Sequence, residues 1–305
     1  MYRRRLALLI GATTCAVMAF SAAPPGFAAD GESETTRDAG PALWSFSDED
    51  TTVYLFGTIH LMQENVEWFE GDIRDTFEGS DTLVVEIDQT SVSRSEQRTA
   101  VRETALLPQE QRLSSIISEE AMSALMSLVE PLGVGKRAVE RWKPWYAALT
   151  VVSVAARQEG FLPRHGVDAT LMRATEGTEM EIRGLETVSY QLELFDELSR
   201  EDAVYFLKDA LEQSEKLGSF FEELKTAWLE SNLSRLESVL LESQQENPEF
   251  YHSVYVERNR HWLPEITALL EEGGTHFVAV GSAHLVGENG LLEMLRNEGY
   301  QLKRR

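Results

Sequence analysis

Val53-Tyr54-Leu55-Phe56-Gly57-Thr58-Ile59-His60, early in the chain, and Phe277-Val278-Ala279-Val280-Gly281-Ser282-Ala283-His284, close to its end, decide the fold. Each is an apolar run, then a glycine, two small or apolar residues, a histidine and a leucine. A short apolar run bounded by turn residues reads as a buried strand. Glycine at its end lets the chain turn sharply and lets another group approach the backbone. Sites in open α/β sheets form just beyond the carboxyl ends of strands, so His60 and His284 can converge on one point. A third such spacing, Gly273 to His276, precedes its strand, so His276 reads as a loop or strand-start residue.

Working outward, Ala42–Ser47 and Thr51–Gly57 flank the turn Asp48-Glu49-Asp50 and predict a hairpin. Thr82–Ile87 is β-branched and apolar and follows Gly79-Ser80-Asp81, which predicts a buried strand ending near Glu86. Glu181–Leu185 and Tyr300–Lys303 add two more. Between them, Glu119–Val129, Trp145–Gln158, Val167–Thr175, Leu233–Leu241 and Val254–Leu270 carry apolar residues at helical spacing, and Leu185–Trp228 reads as two or three amphipathic helices. The expected fold class is α/β (α+β): a central mixed sheet built from both chain ends, with a large, mostly helical insertion over about residues 100–270. No linker divides residues 41–305, which read as one domain.

The 305 residues hold 28 Lys plus Arg against 51 Asp plus Glu, a net charge of −23. That balance argues against nucleic acid and anionic lipid as partners, since both need clustered cations. Arg3, Arg4 and Arg5 precede an uncharged, mostly apolar run, Leu6–Phe20, short for a membrane span, and Gly26-Phe27-Ala28 fits a small-x-small cleavage site. Residues 1–28 therefore read as a signal peptide of an exported, periplasmic or secreted protein, with cleavage after Ala28 or Ala29 and no stable membrane span afterwards. An uncleaved anchor is the alternative reading. Residues 29–40 read as a polar, disordered lead-in. Cleavage would remove Cys15, the only cysteine, and with it any cysteine nucleophile, and would take the charge to −26. Nothing in the sequence sets the oligomeric state.

An acidic residue finishing a buried strand is costly unless it is paired or ligating, so Glu86 stands out. Imidazole plus carboxylate is a common ligand set for zinc, manganese or cobalt, which makes His60, His284 and Glu86 the expected metal ligands. Separate, satisfied core histidines, with Glu86 capping a helix or pairing with an arginine, are the alternative. Asp168 in Gly166-Val167-Asp168 and Glu186 in Gly184-Leu185-Glu186-Thr187 are further acidic candidates, each also readable as a helix-start residue. Glu257-Arg258-Asn259 lies in a charged run whose ordinary reading is a solvated helix face. His165, His252 and His261 read as surface or helix residues. No His-Glu-x-x-His helix motif is present, which separates this pattern from the zincin metalloproteases.

At these residues the sequence resembles the TraB/GumN family, which includes the Tiki proteins and carries paired Gly-x-x-His motifs. The resemblance runs from about Pro41 to the end of the chain through Leu43-Trp44, Val53–Leu61, Thr82–Asp88, Gly166–Asp168, Gly184–Thr187, Glu257–Arg260 and Val280–Leu292. It implies a fold akin to the erythromycin-esterase and ChaN-like group, with both motifs facing one cleft, and a metal-dependent hydrolase of manganese or cobalt acting on peptide or protein. His60 and His284 then become ligands or catalytic residues, Glu86 their partner carboxylate, and Arg258 and Asn259 site residues. In that scheme Glu186 or Asp168 acts as general base and Arg258 steadies an oxyanion. A cleft that binds peptide or glycan without turnover, or a metal-free, esterase-like hydrolase, are the alternatives.

Overall fold

The computed structural model describes residues 40–238 and 248–305. The expected signal peptide, residues 29–39 of the lead-in and the last part of the helix read over Leu233–Leu241 lie outside the described residues.

Among the described residues, six strands form one mixed sheet: β1 Leu43–Ser47, β2 Thr51–Thr58, β3 Thr82–Val85, β4 Glu181–Gly184, β5 Gly274–Gly281 and β6 Lys303–Arg304. Their order is β4-β3-β5-β2-β1-β6. β1 and β2 form the expected antiparallel hairpin, closed where Asp48 accepts the backbone N–H of Thr51. β2 and β3 both lie parallel to β5. The first and last parts of the chain thus meet in the middle of the sheet, with β4 contributed by the intervening segment. β6 is shorter than the strand expected over Tyr300–Lys303 and starts later, because Tyr300 packs its ring on Phe46 before the chain joins β1.

β2, β3 and β5 are buried almost throughout, as their continuous apolar runs require. Helices cover the sheet: α1 Gly71–Glu78, α2 Arg94–Thr104, α3 Glu119–Val129, α4 Pro144–Gln158, α5 Val167–Ala174, α6 Val188–Asp196, α7 Arg200–Gln213, α8 Leu217–Leu229, α9 Arg258–Ala268 and α10 Leu291–Asn297. The stretch Leu185–Trp228 resolves into α6, α7 and α8. α4 opens on Pro144, whose missing N–H costs nothing in a first helical turn, and it buries apolar residues on most of its surface. α2 is started by a reciprocal Ser93–Glu96 cap. Among the described residues no helix is long and apolar enough to cross a membrane.

Two features differ from the sequence expectation near the site. β3 stops at Val85, so Glu86 sits just past the strand end. The helix expected over Val254–Leu270 begins as a π-helical turn, His252–Glu257, and becomes α-helical at Arg258. The wider i→i+5 turn rotates the following side chains, and both Arg258 and Asn259 point into the protein, each 1 % exposed. The solvated-face reading of this run is therefore wrong for these two residues.

Candidate functional site

β2 and β5 run parallel with Gly57 opposite Val280 and Thr58 opposite Gly281, so the two Gly-x-x-His segments leave the sheet side by side. Gly57 has to be glycine, because a Cβ there would lie 2.8 Å from the Ser282 hydroxyl oxygen. Ser282 donates its hydroxyl to the Thr58 carbonyl at 2.9 Å, and Trp228 Nε1 donates to the Gly57 carbonyl at 2.6 Å. On the far side, Val167 N donates to the Ile59 carbonyl at 2.9 Å, and Gly166 packs so close to the His60 carbonyl that a Cβ would come within 2.2 Å. His60 is therefore fixed through its backbone before its ring makes a contact.

The ring of His60 lies with Nδ1 2.7 Å from Asp168 Oδ2, while Asp168 Oδ1 accepts the Thr58 hydroxyl at 2.9 Å. Asp168 stands in the first turn of α5, whose N-cap is Gly166, and its carboxylate is spent on His60 and Thr58. His60 Nε2 is buried and has no hydrogen-bond partner. Glu86 Oε1 lies 3.7 Å from it.

Glu86 is 3 % exposed and is held at both oxygens. Oε1 accepts the Gly281 backbone N–H at 2.7 Å. Oε2 accepts from Arg258 Nη2 at 2.7 Å and from Gln191 Nε2 at 3.1 Å. Glu186 is turned toward the same guanidinium, accepting from Arg258 Nε at 3.0 Å and from Nη2, and takes Gln191 Nε2 at 2.6 Å. Thr187, not Glu186, caps α6. Gln191 was not singled out by its sequence. Its place on α6, five residues after Glu186, brings its amide between the two carboxylates.

His284 is 1 % exposed, and the adjacent residues Arg258 and Asn259 occupy its two ring nitrogens. Arg258 Nη1 is 3.0 Å from Nε2, and Asn259 Oδ1 is 2.7 Å from Nδ1. Asn259 Nδ2 donates to the carbonyls of His284 and Asn289, which fixes Oδ1 as the acceptor. His284 is thus protonated on Nδ1 and offers its Nε2 lone pair to the guanidinium. The rings of Trp262 and Tyr255 pack on it at 4.5 and 5.2 Å between centroids.

The charge states follow from these neighbours. Burial works against a charged His60, yet Asp168, by charge and hydrogen bond, and Glu86 together raise it to about 9. Burial likewise works against an ionised Glu86, but the Arg258 charge and then the His60 charge lower it to about 2. Burial and then the Arg258 charge push His284 well below its ordinary value, so it stays neutral. Burial raises Glu186, and the guanidinium it shares with Glu86 offsets this only in part.

A small pocket opens between His60, Glu86, Asp168 and Gln191, walled by Val85, Ile87, Pro163, Ala169 and Met172. Its volume is about 30 Å³, room for about one water molecule. Gly281 stands beside it, where a Cβ would be 3.2 Å from His60 Nε2 and 3.1 Å from Glu86 Oε1.

All seven residues expected at the site from sequence do gather in one cluster, but not in the arrangement expected. Arg258 uses all five N–H groups on Glu86, Glu186, His284 and the Val254 carbonyl, so none remains for an oxyanion. Asp168 is engaged by His60 and Thr58, and Glu186 by Arg258 and Gln191. The set His60, His284 and Glu86 does not fit a divalent ion as built. His284 Nε2 is 4.0 Å from Glu86 Oε1 and faces the guanidinium. Among the described residues, no group of three His, Cys, Asp or Glu side chains converges as a metal site would. His276 lies in β5, opposite Val53, toward the other end of the sheet. His252 and His261 are on the surface as expected.

The strand-end histidines, the flanking glycines and the mixed sheet define a protein class, and the family model described as TraB/PrgY/gumN family matches residues 42–304. The chain belongs to that family. It is 24 % identical over 243 residues to "Uncharacterized protein YbaP" of Escherichia coli (strain K12), covering 80 % of this chain and 87 % of that one. It is 24 % identical over 319 residues to "Metalloprotease TIKI1" of Danio rerio, covering 87 % of this chain and 63 % of that one. A Treponema pallidum protein is 19 % identical over 267 residues, covering 83 % of this chain and 80 % of that one. No solved structure matches the chain.

Proposed function

We propose that this protein is a hydrolase whose reacting groups are His60 and Glu86. The observation that carries this reading is the unpartnered, buried Nε2 of His60, 3.7 Å from Glu86 Oε1 at a pocket of one-water size. The neighbours leave both groups charged, a carboxylate able to accept a proton and an imidazolium able to donate one. Glu86, lowered to about 2, is the carboxylate that orients a water and accepts its proton. His60, raised to about 9, is the imidazolium that donates from Nε2 to the oxygen or nitrogen of the departing group. Asp168 fixes the ring through Nδ1, and Arg258 holds Glu86 ionised. The substrate class is a peptide or protein, and the protein acts after export, in the periplasm or outside the cell. Incubating the purified protein with a peptide mixture should generate new termini, and His60→Ala should abolish them. Saturable binding without product would instead leave a peptide- or glycan-binding protein. Amino-terminal sequencing of the exported chain should find it starting at Ala29 or Asp30.

A metal-dependent peptidase is the second reading, favoured by the similarity to the Danio rerio metalloprotease TIKI1 and by one feature of this site. Both imidazoles have Nδ1 tied down, to Asp168 and to Asn259, as metal-binding histidines do. A manganese, cobalt or zinc ion would find donors in His60 Nε2 and Glu86 Oε1, and in His284 only once Arg258 leaves it. Metal content of the protein as isolated, and activity before and after chelation, separate the two readings. One ion per chain and loss of activity on chelation favour the second.

A further inference from the structure

The two Gly-x-x-His motifs match in sequence, yet their histidines stand in opposite situations. His60 has one nitrogen engaged and one free. His284 has both engaged, by consecutive residues of one helix. That clamp depends on the π-helical turn His252–Glu257, which brings Arg258 and Asn259 inward together. Asn259 is itself anchored to the His284 and Asn289 carbonyls, so its Oδ1 is fixed and the ring cannot rotate without losing that acceptor.

We propose that His284 is a positioning residue, a fixed neutral imidazole whose Nε2 holds the Arg258 guanidinium in place against Glu86, and not a ligand or a reacting group. The arginine needs such a holder. Its Nη2 donates to Glu86 and Glu186, and its Nη1 would otherwise be tied only to the Val254 carbonyl, one helical turn back. Stacking adds to the hold, since the guanidinium carbon lies 4.6 Å from the Trp262 ring centroid. With the guanidinium fixed, Glu86 Oε2 is committed and Oε1 is left facing Gly281 N and His60. The chain thus spends one copy of the motif on chemistry and the other on aligning the carboxylate.

The proposal rests on the hydrolase reading for what Glu86 is aligned to do, but its test needs no substrate. Long-range proton–nitrogen NMR on the labelled full chain, assigned with His284→Gln, reports the tautomer of each imidazole. The expected result is Nδ1 protonated and Nε2 bare in His284 at both about pH 6 and about pH 8. Adding zinc chloride should leave its Nε2 signal unmoved. A proton on Nε2, or a zinc-induced shift of that nitrogen, would overturn the proposal. The variants give a second reading. In His284→Gln the amide oxygen can still accept from Arg258, so the His60 ring signals should keep their wild-type positions, whereas His284→Ala should shift them. If His284→Gln shifts them as well, or if a folded His284→Ala leaves them in place, His284 does not align the carboxylate. Should His284→Ala fail to fold, His284→Gln and the tautomer decide alone. Absence of turnover with the expected tautomer intact would sink the hydrolase reading and leave this one standing.

Discussion

Glu86 Oε1 and His60 Nε2 lie 3.7 Å apart with Gly281 alongside, and any side chain at 281 would enter that space. The carboxylate belongs to the end of β3 and the imidazole to the end of β2. β5, which carries Gly281, runs between them. The glycine serves the site as absent volume, and its N–H serves it as the donor that fixes Oε1.

Gly281→Ala should therefore cost activity more than stability. Its Cβ would sit 3.1 Å from Oε1 and 3.2 Å from Nε2, an overpacking cost of about 1–3 kcal/mol. Denaturant unfolding should show that loss, while turnover should fall to the level of His60→Ala. Retained turnover would mean that water does not use this space.

The pH dependence of turnover should show a plateau through neutrality and a fall as pH rises through about 9, where His60 loses its proton. A rate that instead climbs through that region would make His60 the base. Asp168→Asn, which keeps the shape but removes the charge holding Nδ1–H, should lower kcat by roughly 10²–10⁴-fold and move the fall to lower pH.

Stability should respond to pH at both ends. The His60 contribution is full below about 6.5 and is lost as pH rises through about 9, because its folded value is raised. The Glu86 contribution is full above about 4.5 and is lost as pH falls through about 2, because its folded value is depressed. Each is on the order of 3 kcal/mol at most. Thermal midpoints of the wild type and His60→Gln across pH 6 to 9 should differ in slope, the variant being flatter.

Arg258→Met should be the most damaging substitution in the cluster. It leaves Glu86 and Glu186 buried and unpaired, at a cost of about 3–5 kcal/mol. Glu186→Gln should cost far less, because Glu86 still pairs with the guanidinium. The Arg258→Met variant should also gain stability relative to wild type as pH falls and the stranded carboxylates protonate. Parallel urea titrations at two pH values check both statements.

Much of this was legible from residue order. Apolar runs bounded by turn residues placed β2, β3 and β5 within a residue or two, because a strand buried on both faces leaves a continuous apolar signature. Gly57 and Gly281 announced close approach at the strand ends, and Glu86 announced itself as a carboxylate too costly to bury alone. Arg258 and Asn259 were harder to place, since a charged helical run looks solvated in any window that assumes a uniform helical turn. A local π-helical turn changed which side chains face inward. Gln191 carried no mark at all, being an ordinary residue of an amphipathic helix until the fold sets it between two carboxylates.

The sequence by itself determined that two equivalent strand–glycine–histidine segments exist and that a sheet would bring their ends together, because strand burial and glycine turns are local consequences of residue type. It could not separate His60 from His284, which have the same local surroundings. Only the tertiary structure did so, by setting Asp168 and an open pocket beside the first ring and Arg258 and Asn259 on both nitrogens of the second. A histidine's protonation and tautomer are fixed by groups within hydrogen-bonding distance, and here those groups come from helices 108 and 25 to 26 positions away in the chain.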